Sequence, residues 1–183
     1  RAEVSKRLPG FNVNHIILNA THTHTAPVLE DDLEKVSFQY KIPKEGVSQV
    51  SEYLQLFTQR VSEAIVKAWK SRSAGSVTWG QNRAAVAYNR RAVYADGIAV
   101  MYGKTNTPEF MNLEGYEDHD VNTLFFWDNS KKLIAMSINV ACPAQEVEGR
   151  STVNADYWHL VRVALQKKYG AGLCVLGWIG AAG

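Results

Sequence analysis

Two histidines spaced two residues apart, His22 and His24, are the side chains of this sequence best suited to chemistry. Imidazole is the commonest side-chain metal ligand and a natural proton donor and acceptor near neutral pH. The histidines follow a short apolar run, 14–20, which predicts a β-strand closed by turn-forming residues. Residues at positions i and i+2 of a strand point to the same face, so both imidazoles would enter one space. The pattern predicts a metal site or a proton-transfer site, with a pair of polar turn residues as the alternative.

Arg90 and Arg91 form a cationic pair after a second strand-like segment, 84–88. A guanidinium group at a strand end can hold a carboxylate or a developing oxyanion through two parallel hydrogen bonds. The alternative is a pair of solvated turn residues, and the pair on its own favours that alternative.

A third cluster, with Cys142, Pro143 and Glu146, follows the clearest predicted strand, 133–141. The cysteine has three interpretations that the sequence leaves open: a small buried hydrophobic residue, a zinc ligand or a nucleophile. The cluster adds a rigid turn and a carboxylate to the candidate site.

A fourth cluster opens a predicted helix, 155–169. Asn154 is the expected N-cap, because its side-chain oxygen can accept hydrogen bonds from the free N–H groups of the first turn. Asp156 is the second candidate, since the positive end of the helix dipole stabilises a carboxylate.

The composition is that of a globular protein, with 46% apolar and 21% charged residues among 183. The net charge of +2 and the scattered lysines and arginines give no support for nucleic-acid binding. No apolar run approaches the roughly 20 residues that span a bilayer, so we expect no transmembrane segment. We expect the chain, 1–183, to be part of one larger domain, truncated at both ends. The lack of a signal peptide in such a piece carries no information on compartment.

The elements that must position these clusters alternate between strands and long helices, which predicts an α/β fold with a layered mixed β-sheet and helices packed on its faces. Apolar residues at spacings of three and four predict a core-facing helix over 47–72. The segments 121–127 and 133–141 predict an antiparallel hairpin, and the helix 155–169 suits a parallel crossover to a strand at 173–179. Further strands are expected at 76–80, 84–88 and 97–102, and a polar acidic loop at 26–46.

The order of the four clusters resembles the N-terminal catalytic domain of neutral/alkaline, non-lysosomal ceramidases and their bacterial relatives. The segment 20–27, A-T-H-T-H-T-A-P, is similar to the family's S/A-x-H-T-H-S-G-P. The segment 89–91, N-R-R, resembles its N-R-S, and the strand before 142–143, C-P, resembles its strand before H-P. The segment 153–156, V-N-A-D, is similar to its V-N/S-S/A-D.

This family hydrolyses the amide bond of ceramide to sphingosine and a fatty acid, with a zinc ion at the site. The resemblance implies that His22 is the first zinc ligand, that His24 lies beside the metal and contacts the scissile amide, and that Arg90 holds the reacting group. Zinc lowers the pKa of a bound water to about 7 and polarises a carbonyl. Arg90 or His24 would stabilise the developing oxyanion.

Cys142 stands where the family has its second zinc-ligand histidine. A thiolate also binds zinc, so the resemblance implies Cys142 as the second metal ligand, with the family's Glu and Tyr ligands beyond residue 183. The isolated chain is therefore expected to be inactive. Two alternatives stay open: a relative adapted to a glycan or glycolipid, with Cys142 as ligand or nucleophile, and a binding domain that has lost its metal.

The resemblance also implies the partners and the compartment. We expect a small-molecule or lipid substrate and peripheral contact with a membrane through that substrate. We expect a secreted or periplasmic location.

Overall fold

The computed structural model describes residues 1–29 and 43–182, and the greater part of the predicted loop 26–46 lies outside these residues. The helices are α1 (Ala2–Arg7), α2 (Val50–Lys70) and α3 (Tyr157–Tyr169), with a 3-10 helix at Val13–His15. The strands are β1 (Gly75–Arg83), β2 (Arg91–Tyr94), β3 (Ala99–Met101), β4 (Phe110–Leu113), β5 (Asp120–Asp128), β6 (Leu133–Val140) and β7 (Cys174–Ile179). The predicted α/β class is confirmed.

A four-stranded mixed sheet, in the order β1-β5-β6-β7, forms the centre of the fold. β5 pairs antiparallel with both β1 and β6, while β6 and β7 run parallel. The predicted hairpin and the parallel crossover through α3 are both confirmed. A second, antiparallel sheet of three short strands has the order β3-β2-β4.

The main core lies between α3 and one face of the four-stranded sheet. Trp158 of α3 is 1% exposed and packs on Met136, Ile138 and Val140 of β6 and on Val175 of β7. The alternation of β6 places these apolar residues on the face that α3 covers. Val161 and Leu165 in later turns of α3 pack on the same core, so the crossover helix is fixed on the sheet along much of its length.

Helix α2 begins with a capping box in which the side chains of Gln49 and Glu52 satisfy free N–H groups of the first turn. Ile65 and Val66 in its last turns pack on a small core formed by α1 and Ile16. Apolar residues nearer the start of α2, such as Phe57, were expected to face the core but are exposed in the described part of the chain. None of the helices described is long and apolar enough to cross a membrane.

The predicted strand at 14–20 is wrong. Asn12 accepts a hydrogen bond from the N–H of Asn14 and caps the 3-10 helix, and the chain then runs extended without sheet pairing. The contact with the sheet is made by a side chain, since Asn19 exchanges two hydrogen bonds with the main chain of Ile179 at the end of β7. The predicted strand at 84–88 is also absent from the described structure.

Candidate functional site

The histidine loop, residues 21–25, is held between two other segments of the candidate site by main-chain hydrogen bonds. The N–H of Ala144 donates to the carbonyl oxygen of Thr21, and the N–H of Asn154 donates to that of Thr25, both at 2.9 Å. The buried hydroxyl of Thr25 donates to the carbonyl oxygen of Asn154 at 2.9 Å. The fold thus places the first sequence cluster between the third and the fourth.

His22 and His24 lie side by side on this loop. Their ring centroids are 5.0 Å apart and the rings are inclined by 34°. Both side chains are exposed, and His22 has a φ of 59°, a left-handed conformation that is costly for a residue other than glycine. The structure therefore brings the two imidazoles together through a tight turn rather than through a strand.

The polar contacts of His24 come from the turn that follows Cys142. Nδ1 of His24 lies 3.1 Å from Oε2 of Glu148, and its Nε2 lies 2.9 Å from Nε2 of Gln145. The amide of Gln145 also donates to Oε2 of Glu148 at 3.2 Å. The carboxylate that meets the histidine is thus Glu148, whereas the sequence pointed to Glu146.

The thiol of Cys142 faces main-chain oxygens. Its Sγ lies 3.7 Å from the carbonyl oxygen of Val86 and 3.5 Å from that of Pro143, and the residue is buried. A contact with carbonyl oxygens requires the sulfur to carry its proton, because a thiolate cannot donate a hydrogen bond. The arrangement therefore favours the neutral thiol.

Burial raises the pKa of the Cys142 thiol above its ordinary value. The nearby hydroxyl of Tyr157 opposes this shift, the charges of Glu146 and Asp156 add to it, and the positive charge of Arg90 opposes it. Desolvation decides the direction because the thiolate loses more hydration than one cation returns. Both zinc binding and nucleophilic attack need a thiolate, so neither is favoured by this environment.

Arg90 and Arg91 have different surroundings. Arg91 forms an ion pair with Glu114 next to the three-stranded sheet, which accounts for it structurally. The guanidinium of Arg90 is exposed, donates to the hydroxyl of Tyr102 at 2.5 Å and lies 4.8 Å from the centre of that ring. Its positive charge lowers the pKa of the Cys142 thiol, so the two side chains are within electrostatic range of each other.

Asp156 is the N-cap of α3, so the expected cap at Asn154 is wrong by two positions. The carboxylate of Asp156 accepts from the N–H of Tyr157 at 2.6 Å and from the N–H of Val147 at 3.0 Å. The residue is 5% exposed and has a φ of 55°. Asn154 instead accepts from the N–H of Asp156, which shapes the approach to the helix.

Only some of the side chains at this site are suited to bind a zinc ion. Residues 1–29 and 43–182 contain no group of three or more His, Cys, Asp or Glu side chains placed to hold a metal ion. The exposed imidazole of His22 suits a metal ligand, whereas the thiol of Cys142 is protonated and directed at carbonyl oxygens. The zinc site therefore stays a prediction.

Among solved structures, the chain is similar to the crystal structure of neutral ceramidase from Pseudomonas aeruginosa. The TM-score is 0.64 at 14% sequence identity, and the match covers 96% of this chain and 26% of that one. No family model and no curated protein matches the sequence. The resemblance inferred from the motifs is thus confirmed in the fold, over about a quarter of the length of the ceramidase.

Proposed function

We propose that this chain is part of a hydrolase of the neutral ceramidase type, which cleaves the amide bond of ceramide or of a related lipid. The observation that carries the proposal is the position of the histidine loop. Its ends are hydrogen-bonded to Ala144 and Asn154, so motifs far apart in sequence meet within a ceramidase-like fold. Such a convergence of polar groups at strand ends is typical of catalytic sites in α/β proteins.

His24 and Arg90 are the proposed catalytic and substrate-binding residues. Both side chains are exposed, so a substrate can reach them without rearrangement of the core. The guanidinium of Arg90 would hold the amide oxygen and stabilise the negative charge that develops on it. His24 would accept or donate a proton at the reacting group.

Zinc is part of the proposal, with His22 as the ligand that this chain offers most directly. A zinc ion held there would supply Lewis-acid activation of the amide carbonyl. Cys142, the second proposed ligand, would first have to lose its proton and turn away from the carbonyl oxygens of Val86 and Pro143. The remaining ligands would come from outside the described residues.

A ceramide substrate carries two alkyl chains and resides in membranes, so the proposal includes peripheral contact with a lipid surface. A secreted or periplasmic location is proposed on the same resemblance. Glycolipids that contain an amide bond are alternative substrates, because they share the scissile bond of ceramide and differ from it in the polar headgroup.

The experiment is a fatty-acid release assay with the full-length protein, zinc and a panel of ceramide and glycosylated ceramides. His24→Ala and Arg90→Ala should each lower kcat by about 10²- to 10³-fold, as expected for groups that stabilise the transition state. His159→Ala is the matched control, because this exposed histidine lies on α3 outside the contacts of His24. No release from any of these lipids by the wild-type protein would refute the proposed function, and release from glycosylated ceramides alone would assign the substrate to that class.

A further inference from the structure

The turn that follows Cys142 supplies His24 with a carboxylate that the sequence motifs do not contain. Oε2 of Glu148 lies 3.1 Å from Nδ1 of His24. Nε2 of Gln145 lies 2.9 Å from Nε2 of His24 and donates to the same carboxylate at 3.2 Å. These contacts join three side chains from two distant segments into one unit.

The contact with Glu148 sets the role of one imidazole nitrogen, Nδ1 of His24. The amide nitrogen of Gln145 lies near both ring nitrogens, at 2.9 Å from Nε2 and 3.5 Å from Nδ1. A carboxylate only accepts, so Nδ1 of His24 must donate to Glu148. The contact with Glu148 therefore favours a proton on Nδ1 of His24.

A buried carboxylate holds the turn in place. Asp156 is 5% exposed and accepts at 3.0 Å from the N–H of Val147, the residue just before Glu148. The N–H of Arg150 donates to the carbonyl oxygen of Val147 at 3.0 Å and closes the turn. Asp156 is also the N-cap of α3 and accepts from the N–H of Tyr157, so the turn is coupled to the beginning of that helix.

We propose that Glu148 is a positioning residue for His24, carried on a turn that Asp156 anchors. This inference rests on the proposed function in that His24 faces the substrate. Carboxylates paired with histidines orient the ring and set its tautomer. Because His24 and Glu148 are both about half exposed, their contact contributes little to stability. We therefore expect its loss to lower the rate of the reaction rather than the stability of the fold.

The matched variants are Glu148→Gln and Glu146→Gln in the full-length protein. Both remove one negative charge from the same turn, but Glu148 is the residue in contact with His24. Glu148→Gln should lower kcat about 10- to 100-fold with little change in KM and in the unfolding temperature. Glu146→Gln should lower kcat by less than Glu148→Gln does.

A second readout does not depend on activity. In protein labelled with ¹⁵N-histidine, the resonances of His24 are assigned by comparison with His24→Gln. The wild-type spectrum should show a protonated Nδ1, and Glu148→Gln should shift the Nδ1 resonance while Glu146→Gln leaves it unchanged.

The two readouts separate the two proposals. An inactive wild-type protein that shows the Glu148-dependent Nδ1 resonance would sustain the positioning role and reject the proposed function. An active protein in which Glu148→Gln keeps the wild-type kcat and Nδ1 resonance would overturn the positioning role. Equal losses of kcat in both variants would also overturn it, since charge alone would then account for them.

Discussion

Tyr157 donates its hydroxyl hydrogen to the main-chain carbonyl oxygen of Cys142 at 2.8 Å. This bond joins the first residue of α3 to the residue that leads out of β6, next to the histidine loop. Burial raises the pKa of the Tyr157 hydroxyl well above its ordinary value, so the group stays protonated and remains a donor throughout the physiological range. The hydrogen bond thus fixes the beginning of the crossover helix relative to the candidate site.

Tyr157→Phe removes this bond and keeps the ring. We expect a loss of about 1 kcal/mol in the free energy of unfolding, because a carbonyl oxygen loses its partner in a partly buried position. Denaturant unfolding measures the change, with Tyr169→Phe at the exposed end of α3 as the control. Equal stability of the two variants would show that the hydroxyl contributes nothing.

Asp156 combines a favourable cap with an unfavourable backbone conformation, and two substitutions separate the effects. Asp156→Ala loses the bonds to Tyr157 and Val147 and keeps the strain at φ 55°, so it should be the less stable variant. Asp156→Gly loses the same bonds but relieves the strain, since glycine adopts positive φ freely. We expect the glycine variant to be more stable than the alanine variant by about 1 kcal/mol in thermal or denaturant unfolding. The reverse order would contradict the assignment of backbone strain to this residue.

The hairpin, the parallel crossover and helix α2 could be predicted from sequence because each has a local hydrophobic period or a local cap. The local sequence could not reveal that the segment 14–20 is not a strand. Ile16 is buried against α1 and α2, whereas Leu18, which alternation would place on the same face, is 66% exposed, so tertiary packing rather than alternation decides the conformation there. The contact of His24 with Gln145 spans 121 residues of sequence, and only the fold brings the two together.

Gly177 of β7 permits the close packing of Trp158 on the sheet. A Cβ at this position would lie 2.2 Å from Cδ2 of the tryptophan, closer than any real contact. Gly177→Ala should therefore displace the ring and cost about 1–3 kcal/mol of stability. Gly172→Ala is the control, because a Cβ there meets no atom within 4 Å. Chemical denaturation monitored by tryptophan fluorescence measures both variants, and similar unfolding midpoints would contradict this account of the packing.

The two cysteines should differ in their reaction with iodoacetamide. Cys174 is exposed and should react first, whereas Cys142 is buried and has a raised pKa, so its thiolate forms only at higher pH than an ordinary thiol's. The folded chain holds the proton of the Cys142 thiol more tightly than the unfolded chain does. The neutral thiol therefore contributes to stability in full at pH values below the pKa that Cys142 has in the unfolded chain. That contribution is lost as the pH rises through the folded pKa.

Peptide mass spectrometry after timed alkylation, in the presence of a chelator, follows each site separately. We expect alkylation of Cys142 to lag at neutral pH, to accelerate at alkaline pH and to match that of Cys174 once denaturant unfolds the protein. Rapid labelling of Cys142 at neutral pH in the folded protein would show a reactive thiolate. That result would favour its role as nucleophile or zinc ligand over the neutral, buried thiol that its contacts with Val86 and Pro143 indicate.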